Sequence, residues 1–108
     1  MCMKDEVFIY HIFEAIGKIE EYLKGYTYDL FIADYRTMDA VIRNLEIIGE
    51  ATNNISAEFQ RAHNQIPWHE VISMRNRLIH EYSDVDPDTV WKTIQEDLSK
   101  LKRILEKI

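Results

Sequence analysis

At 108 residues the chain has room for one domain with one core, and its 46% hydrophobic and 30% charged residues exclude a disordered polymer. Its 13 Lys plus Arg stand against 19 Asp plus Glu, a formal net charge of −6. That balance argues against broad, non-specific attraction to nucleic acid, so any RNA contact has to be local. The single cysteine, Cys2, excludes an internal disulfide framework and a cysteine metal cluster and suits a reducing cytoplasm.

No stretch approaches the roughly 18 uninterrupted apolar residues of a membrane span. The opening Met1-Cys2-Met3-Lys4-Asp5-Glu6 carries acids where a secretory signal carries positive charge. The expectation is a soluble, cytoplasmic protein with no membrane association.

The first helix is expected from Lys4 to Lys24. Ile9, Ile12, Phe13, Ile16, Ile19 and Leu23 recur at steps of three and four, Lys18, Glu20 and Glu21 take the wet side, and Gly25 supplies a stop. His11, with Tyr10 and Tyr22, flanks the stripe and reads as a boundary histidine without a catalytic role. Thr27 can cap a short turn through Tyr28-Asp29-Leu30-Phe31. A second long helix then runs from Asp34 to Asn53 or Asn54, with Met38, Val41, Ile42, Leu45, Ile48 and Ala51 or Thr52 inward. Arg43, Glu46 and Glu50 lie three and four apart on that helix. They form either a solvated ion-pair row or the lining of a cleft that orients functional residues from behind. Gly49 costs a helix interior roughly 1 kcal/mol relative to Ala, which points to a close helix crossing there.

Ser56 can cap a shorter helix from Ala57 to His63, and Asn64-Gln65-Ile66-Pro67 breaks it. Pro67 suits the entry to a helix from Trp68 to Tyr82 whose inward stripe is Val71, Met74 and Leu78. His69-Glu70 starts like a zinc-protease helix, but Ser73 stands where the second histidine would be, so no metal is expected. Ser83-Asp84-Val85-Asp86 makes a turn, with Asp86 as N-cap and Pro87 as first helical residue. The last helix runs from Pro87 to Glu106 on Val90, Trp91, Ile94, Leu98, Leu101, Ile104 and Leu105. Lys100, Lys102, Arg103 and Lys107 crowd its end, complementing the helix dipole or offering a second RNA contact. No stretch alternates with period two. The fold class is all-α: an antiparallel bundle of four main helices with one or two short extra helices.

Chemistry concentrates in Arg75-Asn76-Arg77-Leu78-Ile79-His80-Glu81-Tyr82. Asn76 and His80 are four apart and share a helix face. Arg75 and His80 are five apart, about 140° round the axis. Those two converge only if the helix end distorts or a second copy supplies the partner group, which makes a homodimeric site attractive. Metal-free RNA cleavage needs a base for the 2′-hydroxyl, an acid for the departing 5′-oxygen and positive charge around the phosphorus. Histidine suits the first two and arginine the third. For a chain that does this chemistry, Arg75 and His80 would be the minimum set, and Asn76 could hold the imidazole tautomer or contact a phosphate. The plain alternative is that both serve the helix end, and that Arg77 and Glu81 form a surface ion pair.

Arg75, His80 and Tyr82 match the Arg-x4-His-x-Tyr signature of HepT-like toxins of the HEPN superfamily, which this chain resembles. A second block, Asp39 to Ala51, resembles that family's second long helix, and Ile66-Pro67-Trp68, Val85-Asp86 and Val90-Trp91 fit the same frame. The resemblance covers nearly the whole chain and implies a single HEPN/HepT-like domain over 1–108. It implies the toxin of a type VII-like toxin–antitoxin pair, a homodimeric, metal-independent endoribonuclease acting on tRNA or mRNA. Arg75 and His80 would be catalytic, with no cofactor. It also implies a cognate minimal nucleotidyltransferase antitoxin, of the MntA kind, that silences the toxin by AMPylation of Tyr82. The competing reading is a non-catalytic helical dimer that binds a nucleotidyltransferase or nucleotides through Arg75 and His80.

Overall fold

The computed structural model of the chain describes residues 3–80 and 86–107, with side chains described for 4–76 and 86–107. Among the described residues every regular element is helical: α1 (Met3–Tyr22), α2 (Tyr28–Ala33), α3 (Tyr35–Asn54), α4 (Ala57–Ala62), α5 (Trp68–His80), α6 (Pro87–Lys92), a π-wound turn over Thr93–Leu98, and α7 (Ser99–Leu105). The last three follow without a break and form one long helix. The architecture is the expected antiparallel bundle of four main helices, with α2 and α4 as its two short ones.

Local chemistry sets the ends. Gly25 takes φ 80°, a left-handed conformation that favours glycine, and the chain leaves α1 at Tyr22, two residues earlier than the periodicity indicates. Thr27 Oγ1 accepts from the Leu30 amide at 3.3 Å and starts a six-residue helix where the sequence reading gave only a turn. Asp34 caps α3 through the Thr37 amide at 3.1 Å. Ser56 caps α4 through the Phe59 amide at 3.1 Å, and α4 ends at Ala62 with His63 as its C-cap. Asp86 Oδ1 accepts from the Asp88 amide at 3.2 Å with Pro87 leading α6. The expected turn at Ser83-Asp84-Val85 lies outside the described residues.

Two long-range contacts fix helix directions. The buried carboxylate of Asp5, near the start of α1, accepts from the Ser56 amide at 2.9 Å and its hydroxyl at 2.8 Å, just past the end of α3. Those two bonds, the amide first, hold the Asp5 carboxyl below its ordinary range. At the other end of the bundle Trp91 packs on Phe31, ring centroids 5.3 Å apart, and on Tyr28 at 6.1 Å. The start of the last helix is therefore packed on α2.

The π-wound turn corrects the expectation of a uniform last helix. Its core residues Val90, Ile94 and Leu98 are buried at two successive steps of four. On a straight α-helix that spacing drifts about 80° away from one face. One wide turn takes up the drift, and Thr93 Oγ1 bonds back to the Thr89 carbonyl at 2.9 Å at the point where the winding changes.

The core is built from Ile12, Ile16 and Ile19 of α1, Val41, Leu45 and Ile48 of α3, and Val90, Ile94, Leu98, Leu101 and Leu105 of the last helix. Each such side chain contributes about 1.5–3 kcal/mol by burial. Val71 and Met74 of α5 pack against it partly buried, while the side chain of Leu78 lies outside the described residues. Asn44, which the apolar stripe of α3 does not include, is also buried, and its amide donates to the Ala40 carbonyl at 2.9 Å. No helix among the described residues is long and apolar enough to cross a membrane.

Candidate active site

The site begins where α3 crosses α5. Gly49 is buried, and a Cβ built on it would overlap Cβ and Cγ of Arg75 and stand 3.2 Å from the Arg75 Cα. The absent side chain lets the two backbones approach, and the cost of glycine inside a helix is offset by this contact. The crossing expected at Gly49 is therefore present, and its counterpart is the arginine of the motif.

Arg75 is held by both helices. Its Nη2 pairs with Glu50 Oε2 of α3 at 2.5 Å, and its Nη1 donates to Asn76 Oδ1 at 3.1 Å. Its Nε is buried and has no hydrogen-bond partner among the described residues. The side chain keeps 26% of its surface exposed, enough for the guanidinium to meet a ligand. Glu50 is steadied in turn by Asn54, whose amide donates to the Glu50 carbonyl at 2.8 Å and its carboxylate at 3.4 Å.

The row Arg43, Glu46, Glu50 divides. Arg43 and Glu46 make a loose pair along α3 at 4.0 Å, whereas Glu50 leaves the row and crosses to α5. All three nonetheless line one cleft of about 410 Å³ with Arg75 as its α5 wall. The α1 wall is Phe8 and His11, rings 6.3 Å apart. His11, read from sequence as a boundary residue, lines the same cleft as the motif arginine. The only signal for it was its position three after Phe8, at the edge of the α1 stripe.

His80 closes α5, and its side chain lies outside the described residues, as does Tyr82. The helix remains α-helical through His80, so positions 75 and 80 stand about 140° apart around its axis. Asn76, assigned by spacing to the face of His80, is exposed and gives its carbonyl oxygen to Arg75.

The basic end of the last helix is partly committed. Lys102 Nζ binds both carboxylate oxygens of Glu20 in α1, at 2.9 and 3.2 Å, which raises its pKa and ties the two helices together. Lys100, Arg103 and Lys107 remain exposed. Among the described residues no three His, Cys, Asp or Glu side chains gather as ligands for a metal ion.

Comparison with known proteins gives a consistent result. The family model described as "Ribonuclease HepT-like" matches residues 12–108. The "Probable ribonuclease HepT" of Thermococcus cleftensis is 48% identical over 97 residues, covering 90% of this chain and 88% of that protein. The "Putative RNase" of Caldanaerobacter subterraneus subsp. tengcongensis is 36% identical over 101 residues, covering 94% of this chain and 90% of that one. A "Gamma-glutamylcyclotransferase and putative RNase" of Methanocaldococcus jannaschii is 45% identical over 108 residues, but the chain spans only 49% of its length. No solved structure matches significantly.

Proposed function

Because the chain belongs to the HepT-like ribonuclease family, we propose that it is a metal-independent endoribonuclease acting on tRNA or mRNA. In this reading it is the cytoplasmic toxin of a type VII-like toxin–antitoxin pair and works as a homodimer. The observation that carries this is the placement of Arg75. Gly49 lets its backbone sit against α3, and Glu50 and Asn76 aim its guanidinium at a cleft large enough for a nucleotide unit.

The chemistry is a transesterification. A base takes the proton of the 2′-hydroxyl, O2′ attacks phosphorus, and the bond to O5′ breaks as an acid protonates that oxygen. The products are a 2′,3′-cyclic phosphate and a 5′-hydroxyl. Arg75 stabilises the charge gathered on the phosphoryl oxygens through its fork of N–H donors. His80 moves one of the protons. The 140° between positions 75 and 80 favours a site completed by a second copy of the chain. Glu50 and Asn76 act as positioning residues for Arg75, and Arg43 with Glu46 lines the approach. Within the cleft Glu46 and Glu50 offset Arg43 and Arg75, so in this reading contact with RNA rests on the guanidinium donors rather than on a net positive field, which suits a chain of net charge −6.

Silencing belongs to the same reading. The cognate minimal nucleotidyltransferase transfers AMP from ATP to the Tyr82 phenol, releasing pyrophosphate. The new phosphodiester puts negative charge beside the motif and blocks RNA.

Product analysis tests the reaction class. AMP-free protein incubated with total tRNA in EDTA is expected to leave 2′,3′-cyclic phosphate and 5′-hydroxyl ends. Cleavage that requires an added divalent cation and leaves 3′-hydroxyl ends would contradict the proposal.

A further inference from the structure

Both guanidiniums of the cleft are paired, Arg43 with Glu46 and Arg75 with Glu50. These pairs can orient a phosphate through their donors, but they add no net positive field to a chain of net charge −6. Holding a polyanion on such a chain calls for unneutralised cations gathered in one place. We propose that Lys100, Arg103 and Lys107 are that place, a second contact that grips the phosphate backbone of the RNA substrate away from the cleft. The assignment rests on the ribonuclease reading above.

Three observations single out this face. Positions 100, 103 and 107 fall within about 60° of one another round a helix and rise about 10 Å along its axis, long enough to meet successive phosphates of one strand. The winding continues past Leu105, because the Glu106 amide donates to the Lys102 carbonyl at 3.0 Å and the Lys107 amide to the Ile104 carbonyl at 3.1 Å. All three side chains are exposed, and among the described residues no ion pair holds any of them. Lys18, Lys92 and Lys102 are instead each matched to a carboxylate, while the exposed Lys24, Arg36 and Arg61 stand on three separate segments. Residues 99–107 carry four cations and one acid, Glu106, which stands about 120° from Lys100. Glu96, four residues before Lys100, makes no pair with it.

The helix dipole does not account for the cluster. Its effect falls off within the last turn, and Lys100 precedes the end of α7 at Leu105 by more than a turn. Solubility does not account for it either, since each cation on an acidic chain lowers the magnitude of the net charge. None of the three residues lines the cleft, so they meet RNA beyond the nucleotides being cut. Such a contact adds affinity to ground state and transition state alike and leaves the chemical step unchanged.

The test compares AMP-free wild type with the triple variant Lys100→Gln, Arg103→Gln, Lys107→Gln and with a charge-matched control, Lys18→Gln, Lys24→Gln, Arg36→Gln. Helicity and oligomeric state are matched first. Filter binding of total tRNA at several salt concentrations, at times short against cleavage, reads affinity, and the single-turnover rate at saturating protein in EDTA reads chemistry. The α7 variant is expected to bind roughly tenfold or more weakly at low salt, with a salt slope shallower by about 2 to 3, at about 0.7–0.9 per phosphate contact. Its saturating rate is expected to stay within about twofold of wild type, and the control to keep the wild-type slope. An α7 variant with wild-type affinity and slope overturns the proposal and leaves the face to an acidic protein surface. A control that weakens binding as much also overturns it, since net charge alone then accounts for the loss. A wild type that binds tRNA and cuts none sinks the ribonuclease reading, while the binding comparison still decides the contact. A wild type that binds no RNA sinks both.

Discussion

Gly49 and Arg75 touch backbone to side chain across the α3–α5 crossing, so closely that even one methyl group on Gly49 has no space. The depth at which the guanidinium sits in the cleft is thus set by the absence of a side chain on the neighbouring helix.

Gly49→Ala is expected to destabilise the protein by about 1–3 kcal/mol through overpacking, despite the better helix propensity of alanine, and to displace Arg75 enough to abolish cleavage. Gly17→Ala is the control, because nothing lies within 4 Å of a Cβ at that exposed helical position. It is expected to gain up to about 1 kcal/mol. Urea denaturation followed by circular dichroism checks both.

Glu50→Gln separates aiming from folding. The Arg75–Glu50 pair is partly exposed, so its loss is expected to shift stability by no more than about 1 kcal/mol. Removing the carboxylate leaves the guanidinium less constrained and the cleft more positive. RNA is then expected to bind more tightly at low salt and to be cut more slowly. Filter binding and single-turnover rates on the same preparation read the two effects apart, and an unchanged rate would show that Glu50 does not position Arg75.

Acid stability has a defined window. Asp34, which caps α3, accepts from the Thr37 hydroxyl at 2.7 Å, the Tyr26 hydroxyl at 2.6 Å and the Thr37 amide at 3.1 Å, and its pKa is lowered from 3.8 to about 2. A lowered folded-state pKa contributes stability that is fully present above the ordinary value and is lost as pH falls through the folded value. Asp5, held by Ser56, shifts in the same direction. The urea midpoint is therefore expected to fall as pH drops from 3.8 towards about 2. Asp34→Asn keeps a capping oxygen but cannot titrate, so its midpoint should fall less over that interval.

Much of this fold was legible in the sequence because it is written in short-range signals. Thr27, Ser56 and Asp86 were legible as caps, Gly25 as a stop, and the stripes of α1 and α3 as core, since each depends on residues within one or two turns. Gly49 was legible as a crossing because glycine inside a helix needs a reason. What the sequence hid are contacts between distant positions. Asp5 meets Ser56 51 residues away, and Lys102 meets Glu20 82 residues away. The π-wound turn was hidden because steps of four fit an α-helix and a wider turn alike. At the site, the spacing of Arg43, Glu46 and Glu50 left a surface row and a cleft equally open, and only the packing of α3 on α5 sends Glu50 to Arg75. His11 carried no local mark, since the rest of its cleft is supplied by α3 and α5.

That Arg75 and His80 carry metal-free RNA cleavage is the core of the proposed function. Its most direct measurement compares AMP-free wild type with Arg75→Ala, Arg75→Lys and His80→Ala in EDTA on total tRNA, after helicity and oligomeric state have been matched. Wild type is expected to cut. Both alanine variants are expected to lose roughly 10²-fold or more in rate, and Arg75→Lys to recover little because an ammonium cannot reproduce the guanidinium fork. Folded variants that cut as fast as wild type, or a wild type that cuts no RNA, would contradict it.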